Sequence, residues 1–287
     1  MNTQLDISPR KQQLKEEYMR LQQVYTDLIT KRDDILLREG PLLEAVYMEA
    51  IGQLQYEVIC LQYDISLLKL ERELLQAYIN RGEKPDMKVV DEKVNETAQT
   101  FNENIHREED KIKESKEYRE QHSQEYKEFT EQDTWEPNKT REDEKAELKK
   151  IYKRLVHRLH PDLHPDQSEW ERELFLKVQE AYKEGNLERL KELEAELDAG
   201  IPSGSVDNEF IEDWEERVKK LKEQIEIIKH EIEEIESNFP FTYRDKLNDQ
   251  DWISARQKDI LAIIDQLKAE KERLEKIVEI LRKQKNG

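Results

Sequence analysis

The sequence is poor in cysteine, in glycine and in long apolar runs. Its single cysteine, Cys60, has no partner for a disulfide, which favours a reducing compartment and a buried thiol. Only 7 glycines occur among 287 residues, and charged helix formers dominate instead, so long helices are favoured over a sheet. No apolar run approaches the roughly 18 residues of a membrane span, and the start, MNTQLDISPRKQQ, lacks the apolar core of a signal peptide. We therefore predict a cytoplasmic protein with no membrane association.

Positive charge is also scarce. Aspartate and glutamate number 67 against 48 lysines and arginines, which gives a formal net charge of −19. Nucleic-acid binding depends mainly on Lys and Arg that neutralise phosphates, so any such role needs a local basic patch. Hydrophobic residues make up 36% of the chain, which is lean for one compact core, and they recur in stripes. The composition predicts an all-α protein built from extended helical hairpins and coiled coils.

Two apolar stripes and a polar stretch occupy the N-terminal half. The first stripe runs from about Arg10 to Arg38, and Gly40-Pro41 interrupts it. The second stripe continues to about Ile79 and ends at NRGEKPD, so residues 1–87 are predicted to form a helical hairpin. Residues 88–139 are predicted to form a long polar helix followed by a linker, with only a thin apolar seam that lies on the first two helices or stands in solvent.

The C-terminal part carries a heptad pattern. A linker rich in Gly, Pro and Ser is predicted at 200–208, and residues 209–287 are predicted to form a coiled-coil hairpin. The first stripe alternates steps of three and four through Ile211, Trp214, Val218, Leu221, Ile225, Ile228, Ile232 and Ile235. The second stripe is weaker, with interruptions at Arg256 and Glu270, and comprises Ile253, Ile260, Ile263, Leu267, Leu274, Ile277 and Leu281. A parallel homodimer through the first stripe remains an alternative, because seam residues alone do not fix orientation.

Between these parts, residues 140–199 contain the segment HRLHPDLHPDQ, in which His-Pro-Asp occurs twice. The helix before it has an apolar face that comprises Leu148, Ile151, Tyr152, Leu155 and Leu159. Between Leu148 and Pro161 its other faces carry five cations and no acid, namely Lys149, Lys150, Lys153, Arg154 and Arg158. In so acidic a chain this local inversion of charge predicts a docking face for an acidic partner.

The two helices around this segment have clear end signals. Pro161 cannot continue a helix, so the first helix is predicted to end near Leu159. Ser168 and Glu171 form a capping box that starts the next helix, whose apolar face comprises Leu174, Phe175, Val178, Ala181 and Tyr182. We expect the two helices to pack antiparallel and to leave the His-Pro-Asp tip exposed.

The stretches YKRLVHRLHPDLHP and ELFLKVQEAY resemble the second and third helices of the J domain of DnaJ-type cochaperones. The resemblance covers about 45 residues, 141–185, and places His164-Pro165 where that family has an asparagine-proline step. The family's first helix has no recognisable counterpart before Arg141. Either the polar helix that ends near Phe129 replaces it, or the core of this unit is incomplete.

This resemblance implies that the protein engages an ATP-driven chaperone of the heat-shock 70-kDa class and stimulates its ATPase. His160 and Asp162 would present polar groups to the chaperone, and Pro161 would fix the sharp exit from the helix. The five cations would steer the encounter. The long helices would bind a protein client or form a homo-oligomer. We predict no enzymatic activity and no cofactor, since no catalytic set and no glycine-rich phosphate loop is apparent.

The same segment allows three other interpretations. A zinc site would use His157, His160 and His164 with Asp162 and Asp166, but the prolines direct His164 away and no cysteine is near, so we predict no metal. Nucleic-acid binding is disfavoured because only five cations cluster. The main alternative is a coiled-coil scaffold whose hairpin makes no chaperone contact. Of the two His-Pro-Asp copies, the first is predicted to be the contact loop and the second to lead into the next helix.

Overall fold

The computed structural model describes residues 9–130, 139–200 and 211–283. These ranges contain helices and no strand, which confirms the all-α fold class. The α-helices in chain order are α1 (Pro9–Asp34), α2 (Gly40–Tyr47), α3 (Gln53–Asn80), α4 (Met87–Gln121), α5 (Ser123–Thr130), α6 (Lys139–Leu159), α7 (Glu169–Lys183), α8 (Leu187–Gly200), α9 (Ile211–Glu236), α10 (Arg244–Leu247) and α11 (Gln250–Lys283). Residues 131–138 of the predicted polar segment and 201–208 of the predicted linker lie outside these ranges.

The helices pack into two compact units that each combine segments distant in sequence. Unit 1 comprises Met1–Gly40 and Asp133–Thr242, and unit 2 comprises Pro41–Gln132 and Tyr243–Gly287. The sequence suggested five consecutive segments instead. The difference arises because an apolar stripe specifies that a helix needs a partner but does not specify which helix that partner is.

The predicted interruption at Gly40-Pro41 is wrong. Gly40 has helical dihedrals, φ −58° and ψ −54°, and its N–H donates to the carbonyl of Ile35. Two π-helical turns, Ile35–Glu39 and Met48–Gly52, flank α2, and such turns accommodate an extra residue where regular helical bonding is disturbed, as it is at a proline. A Cβ at Gly40 would lie 3.0 Å from the Ile35 carbonyl oxygen and 3.3 Å from the Phe241 ring, so glycine permits this close packing.

In unit 1 the heptad stripe of α9 packs against α1. Six of its seam residues are buried, namely Trp214, Val218, Leu221, Ile225, Ile228 and Ile232. At one end Trp214 and Val218 cluster with the buried Leu14, and the Tyr18 ring meets Trp214 edge to face at 5.5 Å. The stripe therefore buries its seam as predicted, but its partner is α1 rather than the second stripe of the expected C-terminal hairpin.

In unit 2 the second stripe, on α11, packs against α3. Its buried residues are Ile253, Ile260, Ile264, Leu274, Val278 and Leu281. Ile263, a predicted seam residue, is 42% exposed, and Ile277 is only partly buried. Ile253, Ile260, Leu274 and Leu281 are buried as predicted, whereas every second seam position lies one residue further along the chain than predicted. Polar side chains occupy two of these positions: Gln257 donates to the carbonyl of Ala50 at 2.8 Å, and Lys271 pairs with Asp64 at 2.6 Å.

The polar helix α4 completes unit 2. Asp86 caps its start by accepting hydrogen bonds from the N–H groups of Lys88 and Val89, and Val90 is fully buried in a cluster with residues of α3 and α11. Cys60, expected to be buried, is only half-buried on α3. None of the described helices combines the length and the apolar character needed to cross a membrane.

Candidate functional site

The candidate site lies in unit 1, at the loop between α6 and α7. Helix α6 ends at Leu159 and α7 begins with the capping box, both as predicted. The Ser168 N–H donates to the Glu171 carboxylate at 2.7 Å, and the Glu171 N–H donates to Ser168 Oγ at 3.3 Å. The bond from the Ser168 N–H, followed by a bond from the Ser168 hydroxyl to the same carboxylate at 2.8 Å, lowers the pKa of Glu171. The cap fixes where the loop stops and α7 starts.

The two helices pack through the apolar faces expected from the sequence. The rings of Tyr152 on α6 and Tyr182 on α7 stack with centroids 3.8 Å apart and planes 12° apart. Leu155 and Leu159 of α6 are fully buried, as is Val178 of α7. Helix α8 covers the remaining apolar surface with three fully buried side chains, Leu190, Leu193 and Leu197.

The helix that completes this core is α1, which packs against α6. The Tyr152 hydroxyl donates to Asp33 at 2.6 Å, and the Tyr182 hydroxyl donates to Asp34 at 2.7 Å. Arg38 donates to the carbonyl of Tyr182 at 3.0 Å. Burial, followed by the charge of Asp33, raises the pKa of Tyr152. The helix that packs on α6 is thus α1 rather than the polar helix that ends near Phe129, which belongs to unit 2.

His160, the first residue of the first His-Pro-Asp copy, is buried and only 7% exposed. Its ring lies edge-on between Tyr25 at 6.0 Å and Phe175 at 5.5 Å, and its Nδ1 accepts the N–H of Asp162 at 3.2 Å. Burial lowers the pKa of His160 more than the Asp162 carboxylate raises it. In this conformation the ring of His160 lies between α1 and α7 and its Nδ1 closes the turn, whereas the sequence predicts that His160 presents polar groups to a partner.

Pro161 and Asp162 form the exposed tip, in agreement with the sequence. Asp162 is not free, however, since the Tyr25 hydroxyl of α1 donates to its carboxylate at 2.5 Å. Burial of Tyr25 comes first, and the hydrogen bond to Asp162 second, among the effects that raise the pKa of Tyr25. A residue 137 positions earlier in the chain thus holds the tip of the loop.

The second His-Pro-Asp copy closes the end of α6. His164 Nε2–H donates to the carbonyl of His157 at 2.8 Å, and the Gln167 amide donates to the carbonyl of Leu159. Leu163, between the two copies, is buried and anchors the loop. The second copy therefore caps the preceding helix as well as leading into the next one. Sequence reasoning missed Leu163 and Gln167, because neither belongs to a periodic stripe.

The predicted basic face of α6 has acidic partners from two other helices. Arg154 makes a bidentate pair with Glu194, both distances being 2.7 Å, and Arg158 lies 2.5 Å from Asp198; both acids are on α8. On the α1 side, Lys149 pairs with Asp34 at 2.7 Å, and Lys153 pairs with Asp27. Lys150 is exposed and makes no ion pair with any residue that the structure describes. Four of the five cations are therefore paired with acids within unit 1.

A cleft of 520 Å³ opens beside the loop, between it and α9. Asp162, His164 and Asp166 line one wall, and Arg217 and Lys220 of α9 line the other. Within the described ranges no group of three His, Cys, Asp or Glu side chains is placed to hold a metal ion. The cleft therefore presents a polar contact surface that carries both acidic and basic side chains.

No protein-family model, no curated protein and no solved structure matches the chain. What can be inferred about function accordingly rests on the geometry of this loop and on the residues of α6 and α7.

Proposed function

We propose that the protein is a cytoplasmic cochaperone of the J-domain type. It engages a chaperone of the heat-shock 70-kDa class through the loop at His160–Asp162 and the cations of α6, and it stimulates that chaperone's ATPase. The supporting observation is the helical hairpin of α6 and α7, which presents Pro161 and Asp162 at an exposed tip directly after the stretch of α6 that follows Leu148 and carries five cations and no acid. The catalytic chemistry belongs to the chaperone.

The arrangement suits recognition of an acidic surface. Lys149 and Arg154 are exposed, and Lys153 and Arg158 are half-exposed, so their charges remain within reach of a partner. Their internal ion pairs lie at the surface, where such pairs are weak and are screened by salt. A partner that offers several acids can therefore compete for them, and binding is expected to weaken as the salt concentration rises.

The test is an ATPase assay with candidate chaperones. Wild type is expected to stimulate hydrolysis, and Asp162→Asn to abolish the stimulation, because Asp162 is exposed and its replacement leaves the core intact. His160→Gln should also abolish it, but His160 is buried, so its effect must be read beside circular dichroism. His164→Gln is the matched control: glutamine can still donate to the carbonyl of His157 and should keep the stimulation. Equal losses in Asp162→Asn and His164→Gln would contradict the assignment.

A second candidate is a coiled-coil scaffold whose hairpin makes no chaperone contact. Burial of His160 and the internal pairing of the α6 cations favour it. The same assay separates the two candidates: if wild type stimulates none of the cognate chaperones, the scaffold function replaces the proposed one.

A further inference from the structure

We infer that α1 and α8 form an autoinhibitory cover over the docking face of α6 and its loop. The cover consists of Tyr25 and Asp27 on α1 and of Glu194 and Asp198 on α8. The inference rests on the proposed function and adds its regulation. Side chains of the cover bind the cations of α6 and the carboxylate of Asp162, which are the groups that a chaperone would contact.

The acids of the cover compete directly for the cations. Asp27 holds Lys153, and the two acids of α8 hold Arg154 and Arg158. These acids come from two different helices, and together they pair with the cations of the last part of α6, from Lys153 to Arg158. Asp27 and Asp198 are exposed and Glu194 is half-buried. Surface pairs of this kind are weak, which makes them exchangeable rather than permanent.

The loop is held from the same side. Tyr25 donates to the carboxylate of Asp162, and its ring packs against His160. Tyr25 is itself buried, so its hydroxyl is fixed in position. Helix α1 thus contacts both Asp162 at the tip of the loop and Lys153 on the basic face of α6.

Opening does not require α1 to leave. Ile29 is fully buried and Asp33 is bonded to the buried Tyr152, so this part of α1 belongs to the permanent core. Only the exposed ion pairs and the bond between Tyr25 and Asp162 need to exchange. The cover therefore acts as a local competitor, and an acidic partner displaces it by supplying replacement carboxylates.

A triple substitution tests the competition in the full chain. Asp27→Asn, Glu194→Gln and Asp198→Asn together remove the competing acids while keeping side-chain size. At the strength typical of exposed pairs, the Kd for the chaperone is expected to fall about five- to tenfold.

The matched control is Glu17→Gln, Glu215→Gln and Glu236→Gln. These acids pair with Lys222, Arg10 and Lys31, so the change in net charge is the same and lies in the same unit, but away from α6. The control is expected to change the Kd less than twofold. An equal fall in both triples would overturn the inference, because net charge alone would then explain it.

Tyr25→Phe tests the hold on the loop, with a readout that needs no chaperone. The backbone N–H groups of residues 162–164 are bonded to His160, and they are expected to exchange with deuterium severalfold faster in the variant, with α6 unchanged. Stimulation of the ATPase is expected to rise. Unchanged loop exchange, or lower stimulation against an active wild type, would overturn the cover and make Tyr25 a positioning residue. If wild type and every variant fail to stimulate, the proposed function fails, while faster loop exchange still establishes that Tyr25 restrains the loop.

Discussion

Replacing Tyr152 by phenylalanine removes the hydrogen bond between α1 and α6, together with a weaker side-chain hydrogen bond to Gln179 of α7, and keeps the contacts of the ring. The Tyr152 hydroxyl donates to Asp33 at 2.6 Å. The ring would keep its stack on Tyr182, where the centroids are 3.8 Å apart. The variant therefore measures what the bond to a buried carboxylate contributes to the docking of α1.

The magnitude follows from burial. The Asp33 side chain is 4% exposed, and a hydrogen bond to a charged group contributes about 1.5–3 kcal/mol. Asp33 also keeps Arg32 at 3.0 Å, so it is not left wholly unpaired, and we expect a loss of about 2 kcal/mol. Tyr182→Phe removes the hydrogen bond to Asp34 instead. The Asp34 side chain is 31% exposed and keeps its ion pair with Lys149, so water can replace the hydroxyl, and we expect the stability to fall by about 1 kcal/mol or less.

Hydrogen exchange measured by mass spectrometry on peptides from α6, together with urea unfolding, gives the two free energies. Exchange is needed because the two units can unfold separately, in which case one urea midpoint would not report on unit 1 alone. Equal losses in the two variants, or a larger loss in Tyr182→Phe, would refute the reasoning that burial of the carboxylate sets the strength of the bond.

Three further predictions concern stability. Ser168→Ala should lower the stability of unit 1 by about 1 kcal/mol, because it removes the capping box of α7, and a loss below about 0.3 kcal/mol in urea unfolding would contradict this. Gly185→Ala should lower the stability measured by thermal unfolding more than Gly82→Ala does. Both glycines have positive φ, but only at Gly185 would the new Cβ meet another side chain, that of Arg38 at 3.1 Å. The reverse order would show that this contact is unimportant. Burial lowers the pKa of His160, so the neutral ring stabilises the fold fully above its ordinary pKa of about 6.5, and this stabilisation is lost as the pH falls from there towards the lowered pKa. Urea unfolding midpoints measured between pH 5 and 8 should therefore fall on the acid side, and they should fall less in His160→Gln.

The helices themselves could be predicted from the spacing of apolar residues. The seam from Trp214 to Ile232 is buried as its heptads indicated. Its partner could not be predicted, because heptads are alike and α1 offers a stripe of similar spacing. On α11 every second seam position was misread by one residue, since Gln257 and Lys271 occupy seam positions that a search for apolar side chains passes over.

At the candidate site, the ends of the helices could be predicted from neighbouring residues, whereas contacts with residues distant in sequence could not. Pro161 correctly placed the end of α6, and Ser168 correctly placed the start of α7. The burial of His160 depends on Tyr25, which is remote in sequence and carries no mark of its role. The pairing of the α6 cations had the same origin, because acids such as Asp27 are abundant throughout this chain and no pattern singles out those that pair.

The discontinuity of unit 1 has a consequence for synthesis on the ribosome. Helix α1 ends at Asp34, whereas α6 ends at Leu159 and α9 ends only at Glu236. At the usual pace of translation, roughly 5–20 residues per second, α1 waits on the order of 10–40 s before the last of these partners has been made. During that interval α1, whose Tyr25 and Ile29 are buried in the finished unit, lacks the helices that pack against it. The nascent chain therefore exposes apolar residues of α1, which is the feature that molecular chaperones recognise, before its own candidate chaperone-docking loop has been synthesised.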